Sequence, residues 1–158
     1  MIAAELLVIH DLEPRFRDLI RQVIAYADAL YQGSRYRLTV SSYALPGVPG
    51  RRTAKEQAAE YAAGHTDCDG VRKVSKHQTG EALHLGVRVR ATGAYVPYDT
   101  LPADEIHRFM LVVLYAEARG IVWGGRWTKG KAARDFEHFE MGKAGAPDTA
   151  PDDFYKPV

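Results

Sequence analysis

The sequence predicts an α+β domain, a small antiparallel sheet with helices packed on one side. Three observations predict it. Two long segments, residues 11–31 and 103–120, repeat apolar side chains at the helical period. Several short segments are alternating or rich in β-branched and aromatic residues, and turn-forming residues separate them. The chain has 158 residues, 46% apolar and 26% charged, which suits one soluble domain with a hydrophobic core.

In DLEPRFRDLIRQVIAYADALY (11–31), Phe16, Leu19, Ile20, Val23, Ala27 and Leu30 fall on one helical face. Asp11 is a candidate cap, Pro14 suits the first turn, and Gly33 can end the helix. RYRLTVSSY (35–43) reads as a strand, and ALPGVPG (44–50) as a loop. Thr53 and Glu56 form a capping box for a short helix ended by Gly64. HTDCDGVRKV is a polar loop, and ALHLGVRVR (82–90) an alternating strand. Pro102 opens the clearest helix, which buries Ile106, Phe109, Met110 and Val113 and ends at Gly120. IVWGG and FEHFEM read as strands, with the basic loop RWTKGKAARD between them. The Pro- and Asp-rich end reads as an extended tail, giving one domain over 1–140 and a tail over 141–158.

Composition narrows the function. A net charge of +1 gives no electrostatic case for nucleic acid as a partner. The single cysteine, Cys68, excludes an internal disulfide framework. MIAAELLVIHDLEPRFRD has neither a basic region nor a long apolar core, so no signal peptide is expected. No window approaches the roughly 20 apolar residues of a membrane span. Folding in the cytoplasm is the resulting expectation.

Two stretches carry chemistry. SKHQTGEALH places His77 in an expected loop and His84 on the following strand, with Gly80 to permit a tight turn between them. DFEHFE places His138 on another strand, on one face with Phe136 and Glu140, and puts Asp135 at the strand entrance. Three histidines with an open fourth position would make a hydrolytic zinc site, and a carboxylate outside the ligand set would take the proton from water. The alternative is chance, because histidines are common on surfaces. Elsewhere, His10 and His107 read as exposed or structural. The cluster His65, Asp67, Cys68 and Asp69 reads as a polar loop, because four donors so close in sequence rarely surround one ion alone.

Four blocks in order resemble one family. Ser75, His77, Gly80 and Ala82 fit S-x-H-x-x-G-x-A-x-D, and Asp135 and His138 fit D-x-x-H, followed by Phe139 and Glu140. GRRTAKEQAAEYAAG (50–64) is similar to an Arg-Thr, Gln, aromatic-x-x-Gly block, and WGGRW (123–127) to Trp-Gly-Gly-x-Trp. Together they resemble the zinc D-Ala-D-Ala carboxypeptidases of the VanY type and the phage L-alanyl-D-glutamate endopeptidases. The resemblance implies the architecture of that zinc peptidase group, often called the LAS type. It also implies roles: His77 and His138 as zinc ligands, Asp135 as the catalytic base, and Arg52 as the holder of a substrate carboxylate or a developing oxyanion. Ser75 and Glu140 would orient ligands. Trp127 would line the substrate groove or sit half-buried in the core, and Trp123 would be core.

His84 departs from the pattern, since the family has an aspartate ligand there. Three outcomes are open: a three-histidine zinc site, a side chain turned away, or a disabled enzyme. Arg126 stands where many phage relatives carry an acid, and a solvated surface side chain is the simpler reading. The resemblance implies a peptidoglycan peptidase that cuts a stem-peptide bond, L-Ala–D-Glu in a phage endolysin. The alternatives are a D-Ala-D-Ala carboxypeptidase and a catalytically impaired wall-binding domain. A lysin of this kind would be a monomer that waits in the host cytoplasm until it is released to the wall. Lys129, Lys131 and Arg134 add positive charge that suits an anionic wall polymer or simply a solvated loop.

Overall fold

A computed structural model describes residues 8–41, 51–128 and 134–142. The expected loop at 44–50, Lys129, Lys131 and nearly all of the tail lie outside these residues. Helix α1 spans Pro14–Leu30. Its cap is Glu13 rather than Asp11: the Glu13 carboxylate accepts from the Phe16 amide at 2.9 Å. Pro14 takes the first helical position, where its missing N–H costs nothing. Strand β1 (Tyr36–Ser41) follows, then α2 (Ala54–Ala62), whose Thr53–Glu56 capping box forms as expected.

Next come α3 (Lys76–Thr79), β2 (Ala82–Val89), α4 (Ala103–Glu117), β3 (Ile121–Trp123) and β4 (His138–Met141). The sheet has four strands in the order β1-β2-β4-β3, and every pairing is antiparallel. This is the small antiparallel sheet with helices that the sequence predicts.

Register decides which side chains meet. On β2, Leu83, Leu85 and Val87 enter the core, while Ala82, His84 and Gly86 point to the other face. Leu83 pairs with Phe139 on β4, which pairs in turn with Trp123 on β3. Beneath that row lie Phe16 and Ile20 from α1 and Phe109 and Val113 from α4, all nearly fully buried. Each such apolar side chain contributes roughly 1.5–3 kcal/mol by leaving water. Tyr26 of α1 stacks on Tyr115 of α4 with ring centroids 4.1 Å apart. Trp123 is core, as expected, and its indole N–H donates to the Phe136 carbonyl at 2.8 Å. The same register puts His84 directly opposite His138 on the far face.

Two expectations are corrected here. His77 sits in one helical turn rather than a loop, because Ser75 and Gln78 form a second capping box around it. Phe136 does not share a face with His138: β4 begins only at His138, and Phe136 stacks on Tyr98 at 4.4 Å beside the core.

Candidate metal centre

The turn α3 aims the first histidine. The Ser75 hydroxyl accepts from the His77 amide at 3.3 Å, and the Ser75 amide donates to Gln78 Oε1 at 2.9 Å. Ser75 therefore fixes the backbone that carries His77 rather than touching its ring. Gly80 ends the turn at φ +77, and a Cβ there would lie 2.9 Å from the Glu13 nitrogen. Only glycine meets both demands cheaply. The next strand then presents His84 on the same side.

His138 joins them from β4. The peptide turn before it includes Arg134, at φ 56 in the left-handed region, its amide donating to the Trp127 carbonyl at 3.0 Å. That turn directs Asp135 into the cleft. Gly124 allows the close approach: a Cβ there would lie 2.7 Å from the Asp135 carbonyl and 2.9 Å from His138 Cβ. Gly124 of WGGRW thus makes room for the site, while Gly125 makes room for the Trp123 ring.

The three imidazoles converge. His138 Nδ1 lies 3.2 Å from His77 Nε2 and 3.1 Å from His84 Nε2. Tetrahedral zinc with Zn–N bonds near 2.0–2.1 Å separates its nitrogens by about 3.3 Å. Those two separations are close to that spacing, and the three ligand nitrogens all lie within 4.8 Å of one another. Among the described residues it is the one His/Cys/Asp/Glu group arranged to hold a metal, and the polar 65–69 loop does not form another. There, Asp69 Oδ1 instead accepts three amides, from Val71, Arg72 and Lys73. His10 and His107 are exposed.

All three site histidines are buried, at 9%, 5% and 7% exposure for His77, His84 and His138. Burial pushes His77 well below the ordinary imidazole value, helped by His138 and the Arg52 guanidinium. Burial does the same to His84, helped by His77, His138 and Arg52. Both are thus neutral and have a lone pair to give. Their environment fits a divalent cation and disfavours protons.

A pH dependence follows. The folded values of His77 and His84 are depressed, so the unfolded chain, with values near 6.5, binds protons first. Stability is present above about pH 6.5 and is lost as pH falls below it. Thermal melts of chelator-treated protein should drop between pH 7.5 and 5, and His84→Ala should flatten that drop. An equal drop in both proteins would refute this assignment.

Carboxylates flank the cluster. His138 Nε2 lies 3.1 Å from Glu140 Oε2, and Glu140 Oε1 lies 2.9 Å from Lys76 Nζ. A carboxylate on the second nitrogen fixes the ring so that Nδ1 faces the cluster. Burial raises the Glu140 carboxyl, but hydrogen bonds from His138 and Lys76 outweigh it and hold it below its ordinary value. Asp135 Oδ2 stands 3.7 Å from His84 Nε2, outside the converging nitrogens. Burial raises the Asp135 carboxyl, against the pull of His138, the Glu137 and His138 amides, and Arg52.

These groups line a cleft of about 640 Å³. Trp127 stands at its wall with its ring 4.7 Å from the His138 ring. Arg52 lines it too, anchored by its amide to the His77 carbonyl at 3.1 Å. Arg126 is a correction. It is half-buried in a two-pronged ion pair with Glu117, Nη2 to Oε2 at 2.8 Å, and is not solvated. Sequence reasoning also missed Lys76 as the partner of Glu140; its place next to His77 was the available signal.

A peptidase family described as D-alanyl-D-alanine carboxypeptidase matches residues 69–141, just under half of the chain. No curated protein matches. The fold is shared with the crystal structure of the Serratia marcescens L-Ala D-Glu endopeptidase ChiX, at TM-score 0.60 and 18% identity, over 89% of this chain and 88% of that one. A vancomycin-resistance D,D-pentapeptidase VanY from a VanB-type cassette, solved with Zn(II), superposes at TM-score 0.45 and 15% identity, over 82% of this chain and 72% of that one. The family match encloses all three histidines, Asp135 and Glu140, so every side chain of the candidate metal centre except Arg52 lies in the part of the chain that is similar to that peptidase family.

Proposed function

We propose that the chain is an endopeptidase of the peptidoglycan stem, cutting the L-Ala–D-Glu bond, with His77, His84 and His138 as its zinc ligands. The convergence of three buried imidazoles beside Asp135 carries this reading. His84 takes the place of an anionic ligand by turning into the cluster, and its Nε2 approaches His138 as closely as His77 does. That orientation argues against a side chain turned away and against an impaired wall-binding domain.

Bound zinc would supply Lewis acidity to a carbonyl and lower the pKa of water. Asp135 is the proton carrier: its carboxylate takes a proton from the attacking water and gives it to the departing amine. Its upward-shifted carboxyl suits both tasks. Arg52 faces the same cleft and donates to a substrate carboxylate or to the developing oxyanion. Trp127 gives the sugar-peptide strand a flat wall. Glu140 and Ser75 hold His138 and His77 in place.

The choice of bond rests on the His138-Phe139-Glu140 ending and on the fold shared with ChiX, itself an L-Ala D-Glu endopeptidase. Residues 1–140 form the catalytic domain in this reading, and 141–158 an appended tail. The protein acts as a monomeric phage lysin held in the host cytoplasm until the membrane opens. Expressed alone, it should leave cells intact until the inner membrane is permeabilised.

Digestion of purified sacculi, followed by mass spectrometry of the products, tests the reading. Peptides with a new D-Glu amino terminus support it. Release of free D-Ala would make the chain a D-Ala-D-Ala carboxypeptidase instead, and no cleavage with zinc supplied would remove the hydrolase reading.

A further inference from the structure

Helix α2 carries one buried side chain, and it is polar: Gln57, with no exposure at all. A fully buried amide needs partners for both ends. Gln57 Oε1 accepts from Arg52 Nη1 at 2.9 Å. Its Nε2 donates to the Cys68 carbonyl at 2.8 Å and reaches the Thr66 hydroxyl at 3.5 Å. Thr66 and Cys68 belong to the loop that forms the cleft wall facing the histidines. Gln78 ties the same loop to the His77 turn, since its Nε2 donates to the Gly70 carbonyl at 3.0 Å.

We infer that Gln57 is a positioning residue: it aims the Arg52 guanidinium into the cleft and couples it to the 66–68 wall. An arginine side chain has several rotatable bonds and loses their freedom when it is ordered. The backbone of Arg52 is fixed on His77 and its far end on Gln57, so most of that ordering is complete before substrate arrives. The inference rests on the peptidase reading and on Arg52 acting in it.

A double-substitution cycle with Arg52→Ala and Gln57→Met tests it, with stem-peptide cleavage and zinc content as readouts. Alone, Gln57→Met should lower kcat/KM by about 10- to 100-fold, the worth of a hydrogen bond to a charged group, and leave zinc in place. In the Arg52→Ala background the same change should matter by less than about 2-fold. The full loss in both backgrounds would overturn the inference, as would an unaffected Gln57→Met. Gln57→Glu is the second variant. It keeps the acceptor for Arg52 but turns a carboxylate oxygen against the Cys68 carbonyl, so Tm should fall while kcat/KM stays well above that of Gln57→Met. Equal losses for Glu and Met would assign Gln57 a structural role only. A wild type that cleaves nothing takes the peptidase reading down with this one, whereas an active wild type indifferent to Gln57 sinks this one alone.

Discussion

Asp135→Asn is expected to lower kcat by about 10²- to 10⁴-fold, the usual worth of a positioned acid–base group, with zinc content unchanged. The change keeps size and hydrogen-bonding shape and removes the proton carrier. Asp135 stands 3.7 Å from His84, while the histidine nitrogens meet at 3.1 and 3.2 Å, so the metal should survive without it. Turbidity loss of a cell-wall suspension, read beside elemental analysis, gives both quantities on one sample. Full lysis by Asp135→Asn would assign the proton transfer to another group. Loss of zinc would make Asp135 a ligand.

His138→Ala is expected to abolish metal binding and with it activity. His138 Nδ1 is the point that both other imidazoles approach, so its removal opens two contacts at once. Zinc affinity should fall by more than the 10- to 100-fold that loss of an outer partner costs. Glu140→Gln marks that lower figure, because it weakens the bond to His138 Nε2 without touching Nδ1. Competition with a chromogenic chelator measures both. Similar affinities for the two variants would mean that His138 is not a ligand.

Much of this was legible in the residues. Helices α1 and α4 announce themselves because their apolar positions repeat over many turns, and the Thr53–Glu56 box marks α2. The β2 alternation, with Leu83, Leu85 and Val87 against His84, already separates a core face from a site face. Four residues are too few for a period, so the α3 turn escaped; its S-x-x-Q box was the available signal. Strand β4 looked longer than it is because Phe136 continues the aromatic alternation, yet Phe136 belongs to the turn that delivers Asp135.

What the chain does not display is register and distant pairing. That His84 lies opposite His138 depends on how β2 and β4 slide, and a one-residue slip would turn the imidazole into the core. The Arg126–Glu117 pair joins the end of α4 to the turn after β3 and has no local pattern. The identity of Gln57 as a bridge emerges only when Arg52 and Cys68 are brought to either side of it.

The three-histidine zinc site is the centre of the account, and zinc content of the purified protein, by elemental analysis for wild type and His84→Ala, tests it most directly. The expected result is about one zinc per chain in wild type, the stoichiometry of a single three-ligand site, and loss or weakening on substitution. Wild type that holds no zinc when zinc is supplied, or His84→Ala that holds as much and as tightly as wild type, would contradict it.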